Sequence, residues 1–166
     1  NLPSTEAWYT ICYGDGKFGP KDNITRAQFV TVLWRIAGRP ECKEQSPFED
    51  IIGQSDEFKT AINWAYSKSY IDGVDDTHFK PKDNIKRQDA IKILYFYNGG
   101  SSGEEMLYKS IYDSTFKDMD KVASYAKPGM YWAIYKGIIS GDNNKLMPTD
   151  CMTRAEVAKI LVEYVE

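Results

Sequence analysis

Three stretches of this 166-residue chain are versions of the same seven residues: NITRAQF at 23–29, NIKRQDA at 84–90 and CMTRAEV at 151–157. A motif that returns at such intervals constrains the fold more than any local propensity. Each copy must build one supersecondary unit, and the units must bury their apolar faces on one another. Aligning on the motif recovers a longer unit: GDGKFGPKDNITRAQFVTVLWRIAG from Gly14, DDTHFKPKDNIKRQDAIKILYFYNG from Asp75 and DNNKLMPTDCMTRAEVAKILVEYVE from Asp142. Phe18, Phe79 and Leu146 correspond, as do Pro20, Pro81 and Pro148, Asp22, Asp83 and Asp150, and Arg26, Arg87 and Arg154.

The second and third copies share an upstream half. SPFEDI at 46–51 matches STFKDM at 114–119, and AINWAYSKSYIDG at 61–73 matches MYWAIYKGIISG at 130–141, with Trp64 over Trp132. Only NLPSTEAWYTICY precedes the first turn, too little for a Phe-x-Asp element and a helix. Either the chain begins inside its first repeat, or something shorter around Trp8 replaces the missing half. The expected divisions are a partial first repeat over 1–45, a second repeat over 46–98, a linker over 99–113 that opens with the flexible NGGSSGEE, and a third repeat over 114–166.

Each full unit reads as helix, turn, helix. Phe58, Ala61, Ile62 and Ala65 recur at helical spacing, and the DG at 72–73 ends that element. Pro128 suits the first turn of a helix running to about Lys136. The motif helices carry apolar stripes: Phe29, Val32, Leu33 and Ile36; Ile91, Leu94 and Tyr95; Val157, Ile160, Leu161 and Val165. Thr25 with Gln28, and Thr153 with Glu156, fit a capping box, in which hydroxyl and carbonyl or carboxylate oxygen satisfy the first N–H groups of a helix. Lys86 replaces the threonine in the second copy, so the cap there is weaker or made by Asn84, and the acidic residue of IKRQD is displaced. Capping does not account for the arginines, which sit in a first helical turn where the helix dipole disfavours a cation. They either bind something, or simply extend into solvent or pair with a nearby carboxylate such as Asp50 or Asp118.

Composition removes several function classes. Lys and Arg number 21 against 24 Asp and Glu, a net charge of −3, so no basic surface for nucleic acid is indicated. No run approaches the apolar length of a membrane helix, and NLPSTE has neither Met nor a signal-peptide pattern, reading as the start of a mature fragment or an excised domain. Cys12, Cys42 and Cys151 form no C-x-x-C pair and His78 is the one histidine, so zinc sites and imidazole-dependent triads lack material. A Cys12–Cys42 bond would staple a loop in an exported protein. The turns fail the calcium-loop test, because aligning YGDGKF to a dockerin loop puts Ile11 and Tyr13 at ligand positions. No metal and no cofactor are expected, and no catalytic set assembles.

The pattern as a whole, F-x-D, a Trp-bearing helix ending in Gly, a D/G/N turn, F-x-P and I-T-R-A-E/Q, resembles the S-layer homology (SLH) domain from about Gly14 to Val165. The resemblance implies an all-α fold of tandem helix-turn-helix repeats in a pseudo-threefold SLH-like bundle with the first repeat incomplete. It implies a non-catalytic module of an exported bacterial protein, located at the cell wall or surface. Its expected partner is a secondary cell-wall polysaccharide, commonly pyruvylated, or a peptidoglycan-linked glycan, with no nucleic acid and no membrane insertion. In that family the TRAE arginine is a main ligand contact, and grooves lie between neighbouring repeats. Carried over, Arg26, Arg87 and Arg154 become carboxylate binders, with Trp64, Trp132, Asp50 and Asp118 beside the grooves. A guanidinium matches the two oxygens of a pyruvate-ketal carboxylate, and free N–H groups at the adjacent helix start would assist it. With its front half missing, the chain should keep at most two competent sites. The rival reading keeps the fold and fills the grooves with a protein partner.

Overall fold

A computed structural model describes residues 19–100 and 103–165. Trp8 and the Cys12 half of the expected staple lie outside the described residues, and Cys42 and Cys151 are free thiols. Among the described residues there are six α-helices, short 3-10 turns, isolated β-bridges and no strand. We label the helices α1 Arg26–Ile36, α2 Asp56–Ser67, α3 Arg87–Tyr97, α4 Lys109–Thr115, α5 Lys127–Tyr135 and α6 Arg154–Val165. None is long and apolar enough to cross a membrane.

The expected stripes are where the core is. Phe29, Val32, Leu33, Ile91, Leu94, Val157, Ile160 and Leu161 are all buried, whereas Tyr95 and Ile36 are only partly covered. The chain divides into two compact units. One takes the residues up to 85 together with 153–158, and the other takes 86–152 together with 159 onward. In the first, α1 packs on α2; in the second, α3 packs on α5. The sequence repeat and the packing unit therefore differ: the motif helix of one copy lies against the upstream helix of the next. The boundaries drawn from similarity, 1–45, 46–98 and 114–166, do not coincide with these units, because alignment finds kinship and the apolar stripe finds whichever partner covers it.

The expected linker over 99–113 is helical in its second half. A 3-10 turn at Glu104–Tyr108 leads into α4, Tyr108 stacks on Tyr135 with ring centres 5.6 Å apart, and Tyr112 stacks on Tyr131 at 6.2 Å. These offset aromatic pairs fasten a segment that its glycines and serines alone would leave loose.

The Phe-x-Asp element and the D/G turn work as one device. Asp50 accepts the N–H of Phe79 at 3.0 Å and of Lys80 at 2.7 Å; Asp118 accepts those of Leu146 and Met147, both at 2.8 Å. Lys80 and Met147 occupy the left-handed region, with φ of 55° and 52°. That conformation is costly for a residue with a Cβ, and two charge-assisted bonds offset the cost. The first copy places Gly19 at this position, φ 57°, where no Cβ opposes it. Phe48 and Phe116 complete the device. A Cβ added to Gly73 would lie 2.7 Å from the Phe48 ring and 2.2 Å from the Asp75 carbonyl oxygen; one on Gly141 would lie 2.9 Å from Phe116. Glycine stands there because the turn closes against an aromatic edge.

Both expected capping boxes are present. Thr25 Oγ1 accepts from the Gln28 N–H and Gln28 Oε1 from the Thr25 N–H; Thr153 and Glu156 repeat the exchange. Lys86 caps α3 without a side-chain bond, and Asn84 does not replace it. Asp89 stands in register with Gln28 and Glu156, so the acidic residue is not displaced. What differs is Gln88, where the other copies have Ala27 and Ala155. Gln88 is buried, and its Oε1 accepts the Ala123 N–H at 2.9 Å. The second copy has exchanged a cap for a tie to the element packed beside it.

Candidate ligand-binding site

The motif helix starts do not offer the free N–H groups expected of an anion site. Arg26 N–H donates to the Asp83 carbonyl and Ala27 N–H to that of Pro81. Arg87 and Gln88 donate to Asp150 and Pro148, and Arg154 and Ala155 to Asp22 and Pro20. In every copy the third N–H is also taken, by Thr25, by the Lys86 carbonyl and by Thr153. Backbone carbonyls of a neighbouring copy's turn leave no side-chain signature, which is why sequence reasoning missed them. An anion at these helix starts must be held by the guanidinium alone.

The three arginines differ in reach. Arg87 and Arg154 are buried, 8% and 4% exposed, whereas Arg26 is partly exposed. Arg26 Nε donates to the Phe79 carbonyl at 2.9 Å, and its guanidinium carbon stands 4.6 Å from the Phe79 ring centre. A cation over an aromatic face is attracted by the ring quadrupole. Asp50 holds the N–H of the same Phe79 residue, so the structure brings Arg26 and Asp50 to the two sides of one residue. The arginine thus has a structural task that the sequence did not reveal, bracing its helix to the next copy's turn.

That turn is basic. Lys80 and Lys82 are exposed on either side of buried Pro81, whose carbonyl takes the Ala27 N–H. At the matching positions of the third copy stand Met147 and Thr149. His78 precedes Phe79, and its pKa is raised above the ordinary 6.5, chiefly by a hydrogen bond to Asp75 and then by that carboxylate's charge. Asp75 in turn is lowered, first by the Thr77 N–H and then by His78.

The two tryptophans are not surface platforms. Trp64 is 4% and Trp132 3% exposed, with Tyr70 against the first and Tyr95 and Tyr164 against the second. They were expected beside grooves, yet their bulk fills the core at the ends of α2 and α5. Asp118 is buried too, and its two oxygens are given to backbone N–H groups. Among the described residues no group of three or more His, Cys, Asp and Glu side chains could hold a metal ion.

Known proteins place this architecture. The family model of the S-layer homology domain matches residues 13–30, 47–91 and 115–158, more than half of the chain in three segments. Exoglucanase XynX of Acetivibrio thermocellus is 29% identical over 154 residues, covering 92% of this chain and 14% of that protein. Cell surface glycoprotein 1 of the same species is 28% identical over 164 residues, 95% of this chain and 7% of its own. Its cellulosome-anchoring protein is 32% identical over 87 residues, 49% of this chain and 19% of its own. The chain thus spans only a small fraction of these much larger relatives. Three matched segments, the repeated turn and motif helix, and relatives at the cell surface converge: the chain belongs to the S-layer homology domain family.

Proposed function

We propose that the chain is a non-catalytic module that anchors an exported bacterial protein to a cell-wall polysaccharide, with a carboxylate of that polymer, such as a pyruvate ketal, seated on Arg26. The observation that carries this reading is the partly exposed residue Arg26, its guanidinium fixed over Phe79 beside exposed Lys80 and Lys82 of the Phe79 turn. A fixed planar fork loses little freedom when it takes a carboxylate, and the lysines add positive potential. The backbone N–H groups of Arg87 and Arg154, whose side chains are buried, join copies. Four carboxylates have structural work: Asp50 and Asp118 hold turns, Glu57 pairs with Arg35 at 2.7 Å, and Asp113 accepts from Lys109 and Tyr131.

Sedimentation with purified wall, before and after removal of secondary polysaccharide, tests the reading. Arg26→Ala is expected to weaken binding about tenfold or more, equivalent to one charge-assisted bidentate contact, and Arg26→Lys to recover only part of it. Undiminished binding by Arg26→Ala, or equal binding to stripped wall, would sink the mechanism. A protein partner is the second reading, favoured by the exposed Leu107 and Ile111 around α4. It predicts binding that survives polysaccharide removal and falls with Leu107→Asp.

A further inference from the structure

The first unit contains an open cavity of about 490 Å³ whose lining residue Phe48 packs on Phe79, the ring beneath Arg26. It is built from the α1–α2 connection, the 3-10 turn at Glu49–Ile51 and the first turns of α2. Phe48, Ile51 and Ile52 supply apolar lining; Ser46, Thr60, Asn63 and the Asp56–Lys59 ion pair supply polar edges. Its volume falls within the range of small-ligand sites.

The second unit shows what occupies the matching position there. Phe48, Ile51 and Asn63 align with Phe116, Met119 and Tyr131, and those three belong to one buried cluster. Tyr112, from α4, packs against that cluster and stacks on Tyr131. The Tyr131 ring is thus buried in one unit, where its aligned counterpart Asn63 lines an open cavity in the other. In the first unit the deep position is Asn63, whose amide is oriented by Ser46 and Gln45. The charges that line the cavity are Glu49, Asp56 and Lys59, which favour an uncharged occupant over an anion.

We propose that this cavity binds one uncharged pyranose ring, its C–H face on exposed Ile52 and its hydroxyls toward Thr60, Asn63 and Lys59. The proposal extends the reading of the chain as a glycan-binding module, giving it a neutral-sugar contact apart from the Arg26 carboxylate contact.

Amide NMR of the whole chain, titrated with glucose, mannose and N-acetylglucosamine at millimolar concentrations, tests it. Saturable shifts are expected for residues 46–63. Ile52 is 73% exposed and aligns with Asp120, so Ile52→Asp should fold normally and weaken the pyranose about tenfold. Absence of saturable shifts at 46–63 with all three sugars overturns the proposal, as do shifts that Ile52→Asp leaves unchanged. Binding of N-acetyltyrosinamide there without any pyranose also overturns it, assigning the cavity to an aromatic peptide side chain. Failure of wall sedimentation with the sugar shifts intact would instead remove the anchoring reading and leave the cavity site standing.

Discussion

The two units solve one packing problem with different side chains. In the first, α1 meets α2 through the Arg35–Glu57 pair, and Ser55 caps α2. In the second, the residue aligned with Glu57 is Tyr125, whose hydroxyl donates to Asp89 at 2.7 Å while Gln88 ties α3 to Ala123. Gly129 lets α5 approach so closely that an added Cβ would stand 3.3 Å from the Lys92 Cα. The helix–helix contacts have diverged, yet the Asp latch and the carbonyls that receive the motif N–H groups are the same in kind. Duplication has kept the joints between copies and let the faces change.

Aspartate removal should break this symmetry most visibly. Asp118 is buried and Asp50 partly exposed, so Asp118→Ala is expected to cost about 3 kcal/mol and Asp50→Ala about 2 kcal/mol, each stranding two N–H donors. Urea unfolding measures both, and an equal or reversed order would show that burial does not set the strength of the latch. A reciprocal exchange at the caps should matter less. Lys86→Thr supplies α3 with an N-cap oxygen and should gain about 1 kcal/mol, while Thr25→Lys should lose about the same from α1. No gain at Lys86 would mean that the Gln88 tie has already fixed the helix start.

The smallest effect concerns pH, and only the turn of the second copy carries the pair responsible. The raised His78 contributes stability that is full below its ordinary 6.5 and lost as pH rises through its folded value. The lowered Asp75 contributes stability present above its ordinary 3.8 and lost as pH falls through its folded value. The pair therefore holds the turn best between those two limits. In Asp75→Asn, His78 should titrate near its ordinary value, read from its ring proton shifts; an unchanged midpoint would assign the shift elsewhere.

Much of this was legible in the residues. The caps at Thr25 and Thr153, the apolar stripes and the position of Pro128 in the first turn of α5 come from local chemistry, and local chemistry is what a sequence states most directly. The exchange of helix partners between copies was not legible, because similarity groups α2 with α3 whereas packing groups α1 with α2. Nor was α4, since the loop composition of NGGSSGEE hides the neighbouring Tyr108 and Tyr112, whose stacking fastens that helix. The site was half legible. Arg26 stood out, but its carbonyl partner on Phe79 belongs to a backbone group that any residue would supply.

The backbone bonds at the motif helix starts also reverse a familiar rule. Proline is ordinarily welcome in the first turn of a helix because its missing N–H would have gone unused, and α5 accepts Pro128 on those terms. At Arg26, Ala27, Arg87, Gln88, Arg154 and Ala155 the same N–H groups are the rivets between copies. A variant library of this chain should therefore tolerate many side chains at exposed Ala155 and exclude proline, a forbidden imino acid marking where one copy is fastened to the next.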